Sequence, residues 1–385
     1  MDIISGYDSD EEFQFSPISE DWTSSEPLLA NTKQLRSEYS LLECIGKGSY
    51  SSVYKVKNLT TREILCAKNY YPQRKSMDRN DSDYYDISSH GKTELSILQT
   101  LHHPSILPVR GVFRGRRRGS VYMITDLYDT TLDTLLINHA PLSLSEKKCI
   151  LREILSVLSY LQSHHLLHND LKPGNILYRR GSVALCDWGS AAPEGHRGLL
   201  PTLGYRPPEL LLWDRNGCTA RWSGACDIWS WAVVATELVG GKYLWNSDSE
   251  LLVTNSAVKL AGTDHLTEEQ RRKFDAWSSA VHLKFPAIPS TFDQVMGERF
   301  PESARFLAML RRCFQLLPEQ RPDAESLLED PWWSETPVAC SPDLLPDVKE
   351  WLRELRDRKQ REIMDLFSQL QSCLDERENA MCIVC

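Results

Sequence analysis

The chain has 385 residues, 41% of them hydrophobic, and a net charge of −9. This is more sequence than one hydrophobic core usually takes, so two lobes with tails are expected rather than one small domain. No run of about 18 apolar residues occurs, which excludes a membrane-spanning helix, and no secretory signal follows Met1, Asp2 and Ile3.

Residues 1–38 hold nine acids against Lys33 and Arg36, a net of −7, which leaves −2 for the remainder. This segment mixes Ser, Pro and acids without periodicity and reads as a disordered tail. Within it, Ser9 and Ser16 are either phosphoacceptors or parts of an inert solvating arm. Nothing in the charge distribution recommends a nucleic-acid partner. Eleven cysteines, odd in number and scattered, read as reduced thiols of an intracellular protein of the cytoplasm or nucleus.

Residues 39–72 alternate apolar and polar positions and predict strands. Between two such runs lie Ile45, Gly46, Lys47, Gly48, Ser49, Tyr50, Ser51, Ser52 and Val53. Glycines without a Cβ let backbone N–H groups approach phosphates, although two glycines alone fit an ordinary hairpin turn as well. The next β-rich run carries Cys66 and Lys68. Residues 72–89 are polar enough to hold a loop insertion. A helical stretch at 93–98 then offers Glu94, which could hold Lys68 by an ion pair. Residues 121–127 predict another strand, followed by a hinge at 126–129.

From Leu142 onward helical spacing dominates, as at Ile150, Ile154, Leu158 and Leu161. Residues 228–241 predict a buried core helix. Residues 245–300 are poorly patterned and are expected to form an insertion that binds partners. A linker at 334–345 leads to one charged amphipathic helix at 346–378, with Val348, Leu352, Leu355, Ile363, Phe367, Leu370 and Leu374 near one stripe. That stripe either docks on the fold or binds a partner or a second copy. In the tail at 379–385, Cys382 is followed by Ile383, Val384 and Cys385. This reads either as a prenylation signal on Cys382, giving weak reversible membrane association, or as the accidental end of a polar tail.

The chemistry concentrates at His168, Asn169, Asp170, Leu171, Lys172, Pro173, Gly174 and Asn175. Asp170 can accept a proton from a substrate hydroxyl, Lys172 can hold a moving phosphoryl group, and Asn175 can ligate magnesium. Downstream, the apolar run Val183, Ala184, Leu185 and Cys186 ends in Asp187, Trp188 and Gly189, and Asp187 is the natural second metal ligand. Each of these residues could separately be a cap or a turn. Their joint order and spacing argue against that.

In that order the motifs resemble those of the eukaryotic protein kinases of serine/threonine type, with most similarity to the cyclin-dependent kinase-like group. The resemblance covers residues 39–333. It extends to Thr202 through Glu209, similar to the segment that closes the family's activation loop. It also includes Asp227 to Ser230, similar to the helix that anchors the catalytic loop, and Arg321, similar to the partner of Glu209. The resemblance implies an α+β bilobal fold with a small strand-rich N-lobe and a larger helical C-lobe. It implies ATP and Mg2+ as cofactors and phosphorylation of serine or threonine in protein substrates. It places Ile45 and Val53 above the adenine, Cys66 beside it and Leu177 below, with Lys68 on the phosphates, Thr125 as gatekeeper, and Asp126 and Tyr128 in the hinge.

Three departures matter. Ser51 replaces the loop's third glycine. Asn169 replaces an arginine that a loop phosphate would neutralise, so activation-loop phosphorylation is not expected to be required. Trp188 replaces a phenylalanine and should form an apolar plug beneath the helix of Glu94. The competing reading is a pseudokinase or scaffold, disfavoured because Lys68, Glu94, Asp170, Asn175 and Asp187 are all retained. The substrate, and any requirement for a regulatory subunit, stay open.

Overall fold

The computed structural model describes residues 33–74, 85–116, 119–196, 199–212, 222–245, 247–280 and 282–382. The acidic tail up to residue 32, the middle of the expected insertion at 72–89 and residues 383–385 of the prenylation motif lie outside them. The chain divides into two compact units. One contains residues up to 100 together with 109–125, and the other 101–108 and everything from 126 onward.

The first unit is built on a five-stranded antiparallel sheet. Its strands are β1 (Tyr39–Lys47), β2 (Ser51–Asn58), β3 (Ile64–Tyr70), β6 (Val109–Arg114) and β7 (Val121–Thr125), in the order β1-β2-β3-β7-β6. A short hairpin of β4 (Pro72–Arg74) and β5 (Tyr85–Ile87) flanks the polar stretch expected as an insertion. Alternation along the strands sends Val56, Leu65, Ala67, Phe113 and Ile124 into one apolar cluster with Leu35 and Tyr39. Helix α1 (Ser89–Thr100) buries Leu95, Ile97 and Leu98. Its Gly91 permits a close approach, since a Cβ there would stand 2.8 Å from the Tyr70 ring.

The second unit is mainly helical. After β8 (Thr130–Thr131) and α2 (Leu132–Ile137) comes α3 (Leu144–Ser163), whose start is fixed by a reciprocal cap between Ser143 and Glu146. The predicted stripe of Ile150, Ile154, Leu158 and Leu161 is fully buried. Short strands β9 (Leu166–Leu167), β10 (Ile176–Arg179), β11 (Ser182–Leu185) and β12 (Ala192–Pro193) carry the turns between them. Beyond α4 (Pro208–Leu211), α5 (Gly224–Gly240) is buried from Cys226 through Leu238, as expected of a core helix.

Residues 245–300, read from sequence as a poorly patterned insertion that binds partners, contribute part of the second unit's core. They fold into α6 (Glu250–Ala261), α7 (Glu268–Ala280) and α8 (Phe292–Arg299), which bury Val253, Val258, Phe274, Trp277, Phe292 and Met296. The pattern was faint because three short helices each bury a few residues, so no single period runs through the segment. Helices α9 (Ala304–Cys313) and α10 (Ala324–Leu328) complete the core.

The expected linker at 334–345 is a strap, ending in buried Leu345 and Val348, and it leads into α11 (Lys349–Cys382). The sequence stripe divides along this helix. Leu355 is buried and Ile363 is 53% exposed, beside exposed Met364 and Leu366, while the side chains of Phe367, Leu370 and Leu374 lie outside the described residues. Among the described residues, no helix is long and apolar enough to cross a membrane.

Candidate active site

In the first unit Lys68 projects from β3 and meets Glu94 of α1, with Nζ 2.6 Å and 2.8 Å from the two carboxylate oxygens. Glu94 is 1% exposed, and its Oε2 also accepts the Tyr70 hydroxyl at 2.9 Å. Tyr70 reaches it because Gly91 has no side chain to block the ring. Such a buried carboxylate is stabilised only with its partners in place, which makes Lys68 a positioned cation rather than a solvated edge lysine.

The β1–β2 turn is of another kind. Ile45, Lys47, Gly48, Ser49 and Tyr50 are exposed, and the Gly48 N–H donates to the Ser51 carbonyl at 2.8 Å. A Cβ on Gly46 or Gly48 would meet its nearest neighbours at 3.6 Å and 3.7 Å, which is ordinary contact. The fold itself therefore does not demand glycine at either position. Val53 and Ser52 follow on β2, where Val53 pairs with Lys68. Cys66 lies directly across from Thr125 in the β3–β7 register. Burial pushes the Cys66 thiol up, opposed by a hydrogen bond with Thr125 and by the Lys68 charge.

In the second unit the catalytic-turn candidates converge tightly. Asp170 Oδ2 accepts Lys172 Nζ at 2.7 Å and Asn175 Nδ2 at 3.1 Å. Its Oδ1 accepts the Thr202 N–H at 2.9 Å and the Thr202 hydroxyl at 2.6 Å. Lys172 also donates to Thr202 Oγ1 at 2.8 Å. Asn175 lies in a 3-10 turn just before β10, and its carbonyl accepts the Cys186 N–H at 2.9 Å. Because β10 and β11 pair Ile176 with Leu185, Asn175 and Asp187 emerge from neighbouring strand ends. Leu177 follows on β10, partly buried.

The support beneath this turn was only partly legible beforehand. Asp227, 3% exposed, accepts the N–H groups of His168 and Asn169 at 2.8 Å and 2.9 Å, and burial pushes its carboxyl up to about 6. Burial lowers the His168 pKa, favouring a neutral ring. Its Nε2 donates to the Cys186 carbonyl at 3.0 Å, while Nδ1 accepts the Asp170 N–H at 3.3 Å. Trp188 is fully buried and stands edge-on to that ring at 4.7 Å. Asn169 and Asp187 both adopt left-handed backbone, φ 63° and 64°, a region uncommon for non-glycine residues in which Asn and Asp are enriched. The side chain of Asn169 serves as a bolt, with Nδ2 donating to the carbonyls of Ser190 and Leu199.

Further along, Glu209 and Arg321 form a bidentate pair at 2.7 Å on both arms, both side chains at most 1% exposed. Gly189 is buried beside Trp188. At the expected hinge, two side chains share one partner. Asp126 accepts Arg179 Nη2 at 3.1 Å, and the Tyr128 ring stacks under the same guanidinium at 4.5 Å, so these side chains are engaged by Arg179. Sequence gave no sign of this, because Arg179 lies about fifty positions away. Cys382 ends α11, beyond the described side chains.

A family model for the protein kinase domain matches residues 39–333. The chain belongs to the protein kinase family. Cyclin-dependent kinase 10 of Rattus norvegicus is 31% identical over 320 residues, covering 80% of this chain and 84% of that protein. Cyclin-dependent kinase G1 of Arabidopsis thaliana is 30% identical over 328 residues, covering 80% of this chain but 51% of that protein. The chain thus spans about half the length of the plant kinases it matches. A chain in the structure of the CAK complex of Chaetomium thermophilum bound to ATP-gamma-S superposes with a TM-score of 0.67 at 24% identity, over 81% of this chain and 96% of that one. That likeness fixes the fold, a kinase fold with a strand-rich N-lobe sheet and a helical C-lobe.

For magnesium, the oxygen donors at the two strand ends are the Asp187 carboxylate and the Asn175 carboxamide. Asn175 spends its Nδ2 on Asp170, leaving Oδ1 for a cation. Two hard oxygen donors suit a magnesium ion that takes its other ligands from water and phosphate. Among the described residues no group of three His, Cys, Asp or Glu could hold a metal without such help.

Proposed function

We propose that this kinase-family chain transfers the γ-phosphoryl group of ATP to serine or threonine hydroxyls of protein substrates inside cells. The observation that supports this most is the Thr202 hydroxyl, which donates to Asp170 Oδ1 at 2.6 Å while Lys172 donates to the same hydroxyl oxygen. An alcohol of the acceptor's own chemistry therefore fits between base and cation. In the reaction a substrate hydroxyl takes that place, Asp170 accepts its proton, and Lys172 balances charge on the transferring group. Lys68, held by Glu94, serves the ATP phosphates, and the exposed turn carrying Gly46 and Gly48 covers them. Magnesium, held by Asn175 and Asp187, would neutralise phosphate charge.

Activation-loop phosphorylation is not required in this reading. Asn169 carries no charge for a loop phosphate to neutralise, and it already holds the loop through Ser190 and Leu199. Kinship with cyclin-dependent kinases makes a regulatory subunit of the cyclin kind the first partner to test. The full chain, incubated with Mg-ATP and a degenerate peptide library, should phosphorylate serine or threonine and should keep that activity after phosphatase treatment. If phosphotransfer by Asp170→Asn equals that of the wild type, the assignment is wrong.

A further inference from the structure

The strap that follows the core is fastened to one turn of α3. Ser145 Oγ donates to the Val338 carbonyl at 2.6 Å, and Lys148 Nζ donates to the carbonyls of Trp332 and Glu335 at 2.8 Å and 2.7 Å. Lys148 is 1% exposed, with its ammonium 4.7 Å from the centre of the Trp332 ring. A buried lysine bonded to two carbonyls holds the strap in a fixed register on the helix.

That register brings two cysteines together. The Cys340 N–H donates to the Ser145 carbonyl at 3.3 Å. In an α-helix that same carbonyl accepts the N–H four residues on, which here belongs to Cys149. Two amides on one oxygen put both residues within reach of a disulfide, which needs Cα atoms about 4.4–6.8 Å apart. The Cys340 thiol is also among the neighbours that push the Cys149 thiol up. Cys149 is 2% exposed, whereas Cys340 is partly open to solvent, and both are free thiols. One sulfur is thus accessible to an oxidant and the other is sheltered behind it.

We propose that Cys149 and Cys340 form a peroxide-responsive disulfide that staples the 334–348 strap, and with it the root of α11, to α3. The Cys340 thiolate attacks hydrogen peroxide. An S–O bond forms, the O–O bond breaks, and the departing hydroxide takes up the thiol's proton as water. Cys149 sulfur then attacks the sulfenic sulfur. The S–S bond forms, the S–O bond breaks, and hydroxide leaves with the Cys149 proton as a second water. The two sulfurs together lose two electrons and peroxide gains them. Burial pushes the Cys149 thiol up, which disfavours it as the first sulfur to attack.

The full chain treated with hydrogen peroxide and mapped without reductant should give one cross-linked peptide pair containing Cys149 and Cys340. That pair should be two hydrogens lighter than its parts and be split by dithiothreitol. Cleavage by proteases within 334–348 should slow several-fold in the oxidised protein and recover on reduction. In Cys149→Ala, a 1,3-dione should trap Cys340 as sulfenic acid. Recovery of Cys149 and Cys340 as thiols at a dose that oxidises exposed Cys44, or of Cys340 joined to another cysteine, overturns the proposal. So does a cross-linked protein whose strap is cut as fast as before.

Discussion

The turn that carries Asp170 and the turn that carries Gly46 and Gly48 are built by opposite rules. Around Asp170, both carboxylate oxygens are used twice and the backbone beneath is gripped by Asp227, itself nearly inaccessible. At the glycine turn the tip is exposed, and added side-chain atoms would meet only ordinary contacts. Groups that make and break bonds gain from being held before the substrate arrives, because placement then costs nothing at the transition state. A phosphate cover has to mould itself to its ligand, and backbone without side chains does so most easily.

The sharpest way to break this comparison is to remove the chemistry while keeping the brace. Asp170→Asn preserves size and one of the two acceptor oxygens but cannot take a proton, so kcat should fall by about 10²–10⁴ with little change in melting temperature. Steady-state kinetics beside a thermal melt checks both halves. A large drop in melting temperature would mean that Asp170 is part of the scaffold instead. Glu209→Ala is the converse. It leaves the Arg321 charge buried without its carboxylate partner and should cost about 3–5 kcal/mol of stability by denaturant unfolding. That is a large share of what a domain normally has.

A smaller effect is expected from pH. Burial pushes the Glu237 carboxyl from 4.5 up to about 7, although it accepts the Tyr205 hydroxyl and the Leu244 N–H. A raised carboxylate pKa means that the folded chain binds this proton more tightly than the unfolded chain. The contribution is therefore full below about 4.5 and is lost as pH rises to about 7. Glu237→Gln should flatten that part of the stability profile. A wild type and variant that fall in parallel from pH 5 to pH 8 would exclude Glu237 as the titrating group.

What the sequence disclosed followed from the range of each signal. Asp170, Asn175 and Asp187 sit in short ordered motifs, and Ile150, Ile154, Leu158 and Leu161 repeat at helical spacing, so both were legible locally. Glu94 could be named because it lies in the helical stretch at 93–98 that follows Lys68, although nothing local marked Tyr70 or Gly91 as its supports. The Asp170–Thr202 contact joins residues 32 positions apart, and the Asn169–Leu199 bolt joins residues 30 apart. Neither leaves a periodic trace. Asn169 was read for the charge it lacks, whereas its amide proves to be a structural tie. The exposed apolar residues of α11 show the same limit from another side, since spacing identifies a stripe but does not say how far a neighbour covers it.

The last prediction tests the glycine turn directly. Gly48 lies outside the positive-φ region, and its added Cβ would have only the Ser51 carbonyl near, at 3.7 Å. Alanine there restricts the unfolded chain without straining the folded one, so Gly48→Ala should leave stability unchanged or raise it by about 0.4–1 kcal/mol. If the turn had only a structural role, the variant would be at least as good in every assay. If the turn covers phosphates, the methyl group occupies space that the ligand's oxygens need, and the KM for ATP should rise several-fold while the peptide KM stays put. A Gly48→Ala variant with an unchanged ATP KM would assign the turn to the fold alone and leave Lys68 as the first unit's phosphate contact.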